Sequence, residues 1–313
     1  MKLSKISALV LAILMLVCSL AACSPNGQTN ETESSTMKET LTESKKESAT
    51  ESGSQTESAT QTETESQTEI AVTFDGSTYN SSLDGAITHE GKVFTITKAG
   101  VYRLSGKIDD GQIAVNVSKL EQVELKFDGL TVSNSTSAPI YVMSADKVEI
   151  KLVKDTVNTL TDAYSYNFPL NEDKPNACIY SSDDLTIKGN GTLIVNARFN
   201  NGIGTKNDLK IKEGNIVINA AKNAFKGNGS ITVEGGDLKV ESCKRAFKSD
   251  SLETDKGFVT ILGGTIDVTA TNNVIEATNS ISVSGCTIKY SCGSDVTVCD
   301  GNVSISDGCM TQK

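Results

Sequence analysis

The chain has 313 residues, a formal net charge of −10, a single histidine, eight cysteines and no tryptophan. Such an acidic chain is a poor partner for nucleic acid, which is recognised through basic surface. With one histidine and no Gly-x-Ser-x-Gly, His-Glu-x-x-His or P-loop pattern, the common triad, zinc-hydrolase and nucleotide-binding mechanisms lack their residues.

Residues 1–22 read as a lipoprotein signal peptide. Lys2 and Lys5 give the positive start, and Ile6 to Val17 is an apolar run too short to stay as a membrane span. The run ends in Leu20-Ala21-Ala22-Cys23, which resembles the bacterial lipobox and marks Cys23 as the lipidation site. Several acyl chains on one cysteine anchor stably, at about 0.8 kcal/mol per buried CH2. The expected location is therefore extracellular, on the outer face of the cell membrane.

Residues 23–69 carry the lipidated cysteine and then a Ser/Thr/Glu/Gln tether. Ten Glu against Lys38, Lys45 and Lys46 give it a charge of −7. With almost no apolar surface to bury, it cannot offset its ordering entropy and is expected to stay extended. Taking the tether (−7) and the two signal lysines (+2) from −10 leaves −5 for residues 70–313. That stretch is long enough for one continuous core.

From residue 183 the chain repeats. Leu185-Thr186-Ile187 recurs as Leu209-Lys210-Ile211, Ile231-Thr232-Val233, Val259-Thr260-Ile261, Ile281-Ser282-Val283 and Val303-Ser304-Ile305, at spacings of 24, 22, 28, 22 and 22. A second alternating strand follows each of the first five, and Ile179, Ile203, Phe225, Phe247 and Ile275 mark a third. Gly-rich corners such as Gly189-Asn190-Gly191 and Gly235-Gly236-Asp237 separate them. Three short strands per rung of about 22 residues describe an all-β, right-handed parallel β-helix, whose aligned residues form ladders. The 28-residue spacing predicts an outward loop around Ser251 to Lys256. The pattern persists upstream in Val123-Glu124-Leu125 and Val148-Glu149-Ile150, and residues 70–93 are the expected cap on the open edge. Cys178, Cys243, Cys286, Cys292, Cys299 and Cys309 could be disulfides or thiols; residue spacing does not choose.

Three sets of residues could carry function. Lys222 aligns with Lys244 and Lys226 with Lys248, one rung apart, and Arg245 joins the same corner. Stacked like charges repel, and a ligand with carboxylates would relieve that. Glu276 continues the Lys226/Lys248 column and could neutralise part of it. The insertion Asp155 to Ala177 supplies Tyr164, Tyr166 and Phe168, where sugars could stack. Its acids Glu172 and Asp173, with Asp183 and Asp184 at the next strand start, offer hard oxygen ligands for Ca2+. A Ca2+-dependent pectate lyase with a Lys or Arg base stays open, as does a structural or adhesive surface protein.

Several segments together resemble bacterial carbohydrate-binding domain-containing lipoproteins. They are Ile96-Thr97-Lys98-Ala99-Gly100-Val101-Tyr102-Arg103-Leu104-Ser105-Gly106, Ala138-Pro139-Ile140-Tyr141-Val142, Asn158-Thr159-Leu160-Thr161-Asp162, Pro175-Asn176-Ala177 and Ser182-Asp183-Asp184-Leu185-Thr186-Ile187. The resemblance covers roughly residues 93–290. It implies a pectate-lyase-like parallel β-helix, Ca2+ binding, and affinity for plant-wall polysaccharide such as polygalacturonate or cellulose. Where that family carries Asp-Gly-Ile at the corners, this chain has Asn201-Gly202-Ile203, Asn223-Ala224-Phe225, Arg245-Ala246-Phe247 and Asn273-Val274-Ile275. The four acids are gone, so direct Lys/Arg contact is expected to replace metal at this corner. The expected protein is a monomeric, non-catalytic polysaccharide binder with acidic glycans foremost, touching the membrane only through its lipid.

Overall fold

The computed structural model describes residues 68–167 and 174–313, and Cys23, Phe168, Glu172 and Asp173 lie outside them. Short alternating strands wind into a parallel β-helix with three faces per rung. On the first face Asp184–Lys188, Leu209–Ile211, Ile231–Val233, Phe258–Ile261, Ser280–Val283 and Asn302–Ile305 pair in parallel. Thr192–Ala197, Asn215–Ala220, Asp237–Cys243 and Thr265–Ala270 continue the second face. The third face is a separate sheet that includes Ala177–Ser181, Asn201–Thr205, Asn223–Gly227, Arg245–Ser249 and Ile275–Ala277.

The register is the one the spacing predicts. Leu185, Leu209 and Ile231 stand in one column, and Ile187, Ile211 and Val233 in the next. The third-face ladder runs Ile140, Ile179, Ile203, Phe225, Phe247, Ile275, every member fully buried. Phe225 and Phe247 stack nearly face to face, 5.1 Å apart with planes 7° from parallel. A column of identical side chains one strand apart imposes this offset-stacked geometry, and each neighbour shields the next from water.

Corners need backbone that side chains would obstruct. Gly189 turns with φ +91°, and a Cβ there would lie 2.3 Å from the Leu152 carbonyl oxygen. Only glycine fits such an approach. At the N-terminal end, Ile70–Gly76 pairs antiparallel with Thr78–Ser81, and Ile87–Glu90 with Val93–Ile96. These two hairpins cover the first rung and close its edge. His89 belongs to this cap, stacked 4.2 Å from Phe94. All six cysteines of the described residues are free thiols, with Cys178, Cys243 and Cys309 buried.

Candidate functional site

The five clustered cations separate into two groups. Lys226 and Lys248 stand side by side on the outer surface of the third face, continuing a column from Gly204 to Glu276. Both are largely covered, and both are paired. Lys226 Nζ lies 2.6 Å from Asp250 Oδ2, and Lys248 Nζ 2.7 Å from Glu276 Oε1. Arg245 pairs with the other oxygen of Glu276. Burial pulls the Lys226 ammonium below the usual lysine range, with Asp250 opposing and Lys248 and Lys222 adding to the fall. Burial would raise the Glu276 carboxyl, yet Lys248 and Arg245 outweigh it and hold it low. The cations expected to stack at Lys226, Arg245 and Lys248 are thus paired, with Glu276 neutralising part of the column as its position allowed. Two carboxylates come to rest among the three cations, because desolvated charge needs a partner.

Lys222 and Lys244 are different. They sit where the second face turns into the third, both exposed. The Lys244 N–H donates to the Lys222 carbonyl (2.6 Å), and the Lys222 N–H to the Asn200 carbonyl (2.8 Å), so they occupy successive rungs. Among the described residues neither is in a salt bridge, nor is Arg198 on the rung before, though the Arg198 charge acts on the Asp162 carboxyl. Arg198 instead lies over the Tyr164 ring, 5.1 Å from its centroid. Between these rungs lies a trough of about 360 Å³, lined by Asn196, Ala197, Arg198, Asn219, Ala220, Ala221 and Ser242. Asn196 pairs in register with Asn219, and Asn219 with Ser242 beyond a bulge. The alanines keep the floor shallow, and Ser242 Oγ donates to Asn219 Oδ1 (3.1 Å). Amides and a hydroxyl along the rim offer donors and acceptors in the mixture that sugar hydroxyls require. Arg198, Asn196, Asn219 and Ser242 were not among the sequence candidates, although the Asn/Asn/Ser column does repeat at the rung period.

The insertion tyrosines also part company. Tyr164 is 78% exposed and available to a ligand. Tyr166, expected beside it as a sugar platform, is corrected to a buried strut, 7% exposed. Its ring stacks on Phe199 at 4.2 Å, and its hydroxyl lies 2.6 Å from Asp162 Oδ2 and 3.1 Å from the Ala177 carbonyl. Asp162 is itself buried and accepts the Arg198 N–H at 2.5 Å. Burial drives its carboxyl up to about 6, against the hydrogen bonds from Tyr166 and the 198–199 backbone. This knot fixes Arg198 and the turn that presents Tyr164.

Asp183 and Asp184, the two described acids of the expected Ca2+ set, do not form a cradle as they stand. Asp183 is buried, paired with the Lys119 ammonium, and accepts the Ala145 N–H at 3.0 Å. Asp184 Oδ1 accepts the Asp208 N–H at 3.1 Å, while Asp208 Oδ2 pairs with Lys256 at 2.7 Å. No group of three or more metal-ligating side chains is gathered among the described residues. A cation at Asp183 would have to displace an ammonium already there, so Asp183 and Asp184 do not by themselves fit the ion, while Glu172 and Asp173 lie outside the described residues. Removing divalent cations with EDTA is expected to leave the melting temperature unchanged, whereas Asp183→Asn should cost about 1–3 kcal/mol by weakening the hydrogen bonds to a buried carboxylate. Calorimetry of the full-length protein with and without EDTA checks both.

A family model of carbohydrate-binding domain-containing proteins matches residues 90–311. The chain belongs to this family. A carbohydrate-binding domain-containing protein of Acetivibrio thermocellus is 45% identical over 242 residues, covering 76% of this chain and 84% of that one. Among solved structures, a polysaccharide lyase-like protein from C. thermocellum, crystallised as a gadolinium derivative, superposes with a TM-score of 0.76 at 42% identity. That match covers 79% of this chain and all of the other. Family and fold agree with the architecture above.

Proposed function

We propose that this family member is a non-catalytic, surface-anchored binder of acidic polysaccharide, with polygalacturonate the first ligand to test. The observation that carries the reading is the corner trough. Arg198, Lys222 and Lys244 stand on three successive rungs with no salt bridge among the described residues, beside the exposed Tyr164. A polyuronate presents carboxylates at regular intervals, and Arg can engage one in a bidentate fork. Tyr164 offers a ring face to the sugar C–H groups. The anchor is proposed to be the lipidated Cys23, with residues 24–69 as tether.

The test is binding of the full-length protein to polygalacturonate. Exposed pairs contribute about 0.2–1 kcal/mol each. Replacing Arg198, Lys222 and Lys244 together by Ser should therefore weaken binding roughly tenfold at low salt. The effect should shrink as salt shortens screening to about 8 Å. Replacing Lys226, Arg245 and Lys248 by Ser should matter less to binding, since their charge is already matched. Equal losses from both triples would move the site to the third face. A lyase remains the second reading, because the solved relative is a polysaccharide lyase-like protein. Release of unsaturated uronates from polygalacturonate by the purified protein would establish it and displace the non-catalytic proposal.

A further inference from the structure

The third-face strands Asn201–Thr205, Asn223–Gly227 and Arg245–Ser249 begin at the corner trough. They end at a second one. This trough, about 280 Å³, is lined by Lys206, Asn207, Asn228, Gly229, Asp250, Ser251, Glu253 and Lys256. Its wall is the loop made by the long rung. Asn279 Nδ2 holds that loop by donating to the carbonyls of Glu253 and Lys256, both at 2.6 Å, and the Gly257 N–H donates to Gly229 at 2.6 Å. The loop is thus set in place before any ligand arrives, which lowers the ordering cost of binding.

The two troughs differ in charge. In the loop trough Lys206 already has a partner, Lys256 is committed to Asp208, and Asp250 to Lys226. Glu253 is exposed and has no ion-pair partner among the described residues. A uronate carboxylate placed here would face that carboxylate, and like-charge contact is a strong discriminator. Sugar hydroxyls, by contrast, can donate to Asp250 and Glu253 and bond Asn207, Asn228 and Ser251. A five-residue strand of roughly 16 Å separates the troughs, at about 3.3 Å per residue. One extended glycan can reach both by lying along the strands, across the helix rather than down its axis.

We propose that the loop trough is a second subsite, taking an uncharged unit of the chain whose charged units sit at Arg198, Lys222 and Lys244. The preferred ligand is then a polyuronate with part of its carboxyls esterified. This rests on the acidic-glycan reading above, and the test separates the two. Binding of the full-length protein is measured on fully de-esterified and on half methyl-esterified polygalacturonate. The half-esterified polymer should bind several-fold tighter, roughly five- to tenfold. Glu253→Gln should narrow that gap, and Glu253→Lys should reverse it. Both changes are on an exposed loop residue and leave the core untouched. Equal binding of the two polymers, or a gap that Glu253→Lys does not move, overturns the second subsite while leaving acidic-glycan binding intact. Failure to bind either polymer overturns both.

Discussion

Phe247→Asp is expected to abolish the cooperative thermal transition of the domain. The ring is fully buried, in column with Phe225 and Ile275. Removing a buried Phe costs about 3–5 kcal/mol through lost transfer and the cavity left behind. The replacement also puts a carboxyl into a dry ladder with no donor to meet it, costing several kcal/mol more whether it ionises or protonates. Against a net stability of about 5–15 kcal/mol, the sum leaves little or nothing. Phe247→Leu, which keeps the apolar character and most of the volume, should cost far less, about 1–1.5 kcal/mol. Circular dichroism melts of both variants decide the matter. A Phe247→Asp protein melting within a few degrees of the parent would mean that the third-face strands are out of phase by one residue.

Stability should also fall as pH rises from about 4 to about 7, through Asp162. Its carboxyl is raised from 3.8 to about 6, burial being the largest cause. A group with a raised folded pKa stabilises fully below its unfolded value, and that contribution is lost as pH climbs through the folded one. Two units correspond to about 3 kcal/mol at most. The hydrogen bonds point the same way. One Tyr166 hydroxyl proton faces two acceptors, Asp162 Oδ2 and the Ala177 carbonyl. When Asp162 is protonated it can donate to Tyr166 Oη, freeing the tyrosine proton for Ala177, so every group is served. Cys178 and Arg198 also face this acid; the thiol, pushed up by burial, stays neutral across the window. Asp162→Asn reproduces the protonated arrangement, since its amide can donate to Tyr166 Oη. Melting curves from pH 4 to 7 should therefore slope downward for the parent and be flatter for Asp162→Asn. Parallel slopes would remove Asp162 as the titrating group.

The knot around Asp162 and the ladder around Phe247 differ in how they could be read. The rungs were legible because a parallel β-helix writes its geometry into spacing. Strands with period-two alternation, separated by Gly corners at about 22 residues, admit one stacking register. That spacing put Phe225 against Phe247, placed the outward loop before Phe258 and left the first residues to form the cap. Glu276 could be seen to continue the Lys226/Lys248 column for the same reason.

Residues beyond the strand ends escaped that logic. Asp250 follows its strand and folds back to Lys226, and Arg198 precedes one and turns to Tyr164. Tyr164 and Tyr166 are two apart, as on one side of a strand, yet one is exposed and the other buried, because they lie in a turn without that alternation. Asp183 looked like a cation ligand until Lys119, 64 residues earlier in the chain, came to occupy it. The sequence alone determined the repeat, its register and its core, which depend on local periodicity. Only the tertiary structure decided which charges were matched among the described residues and which were not. Charge pairing depends on the reach of flexible side chains across corners, and corners carry no period.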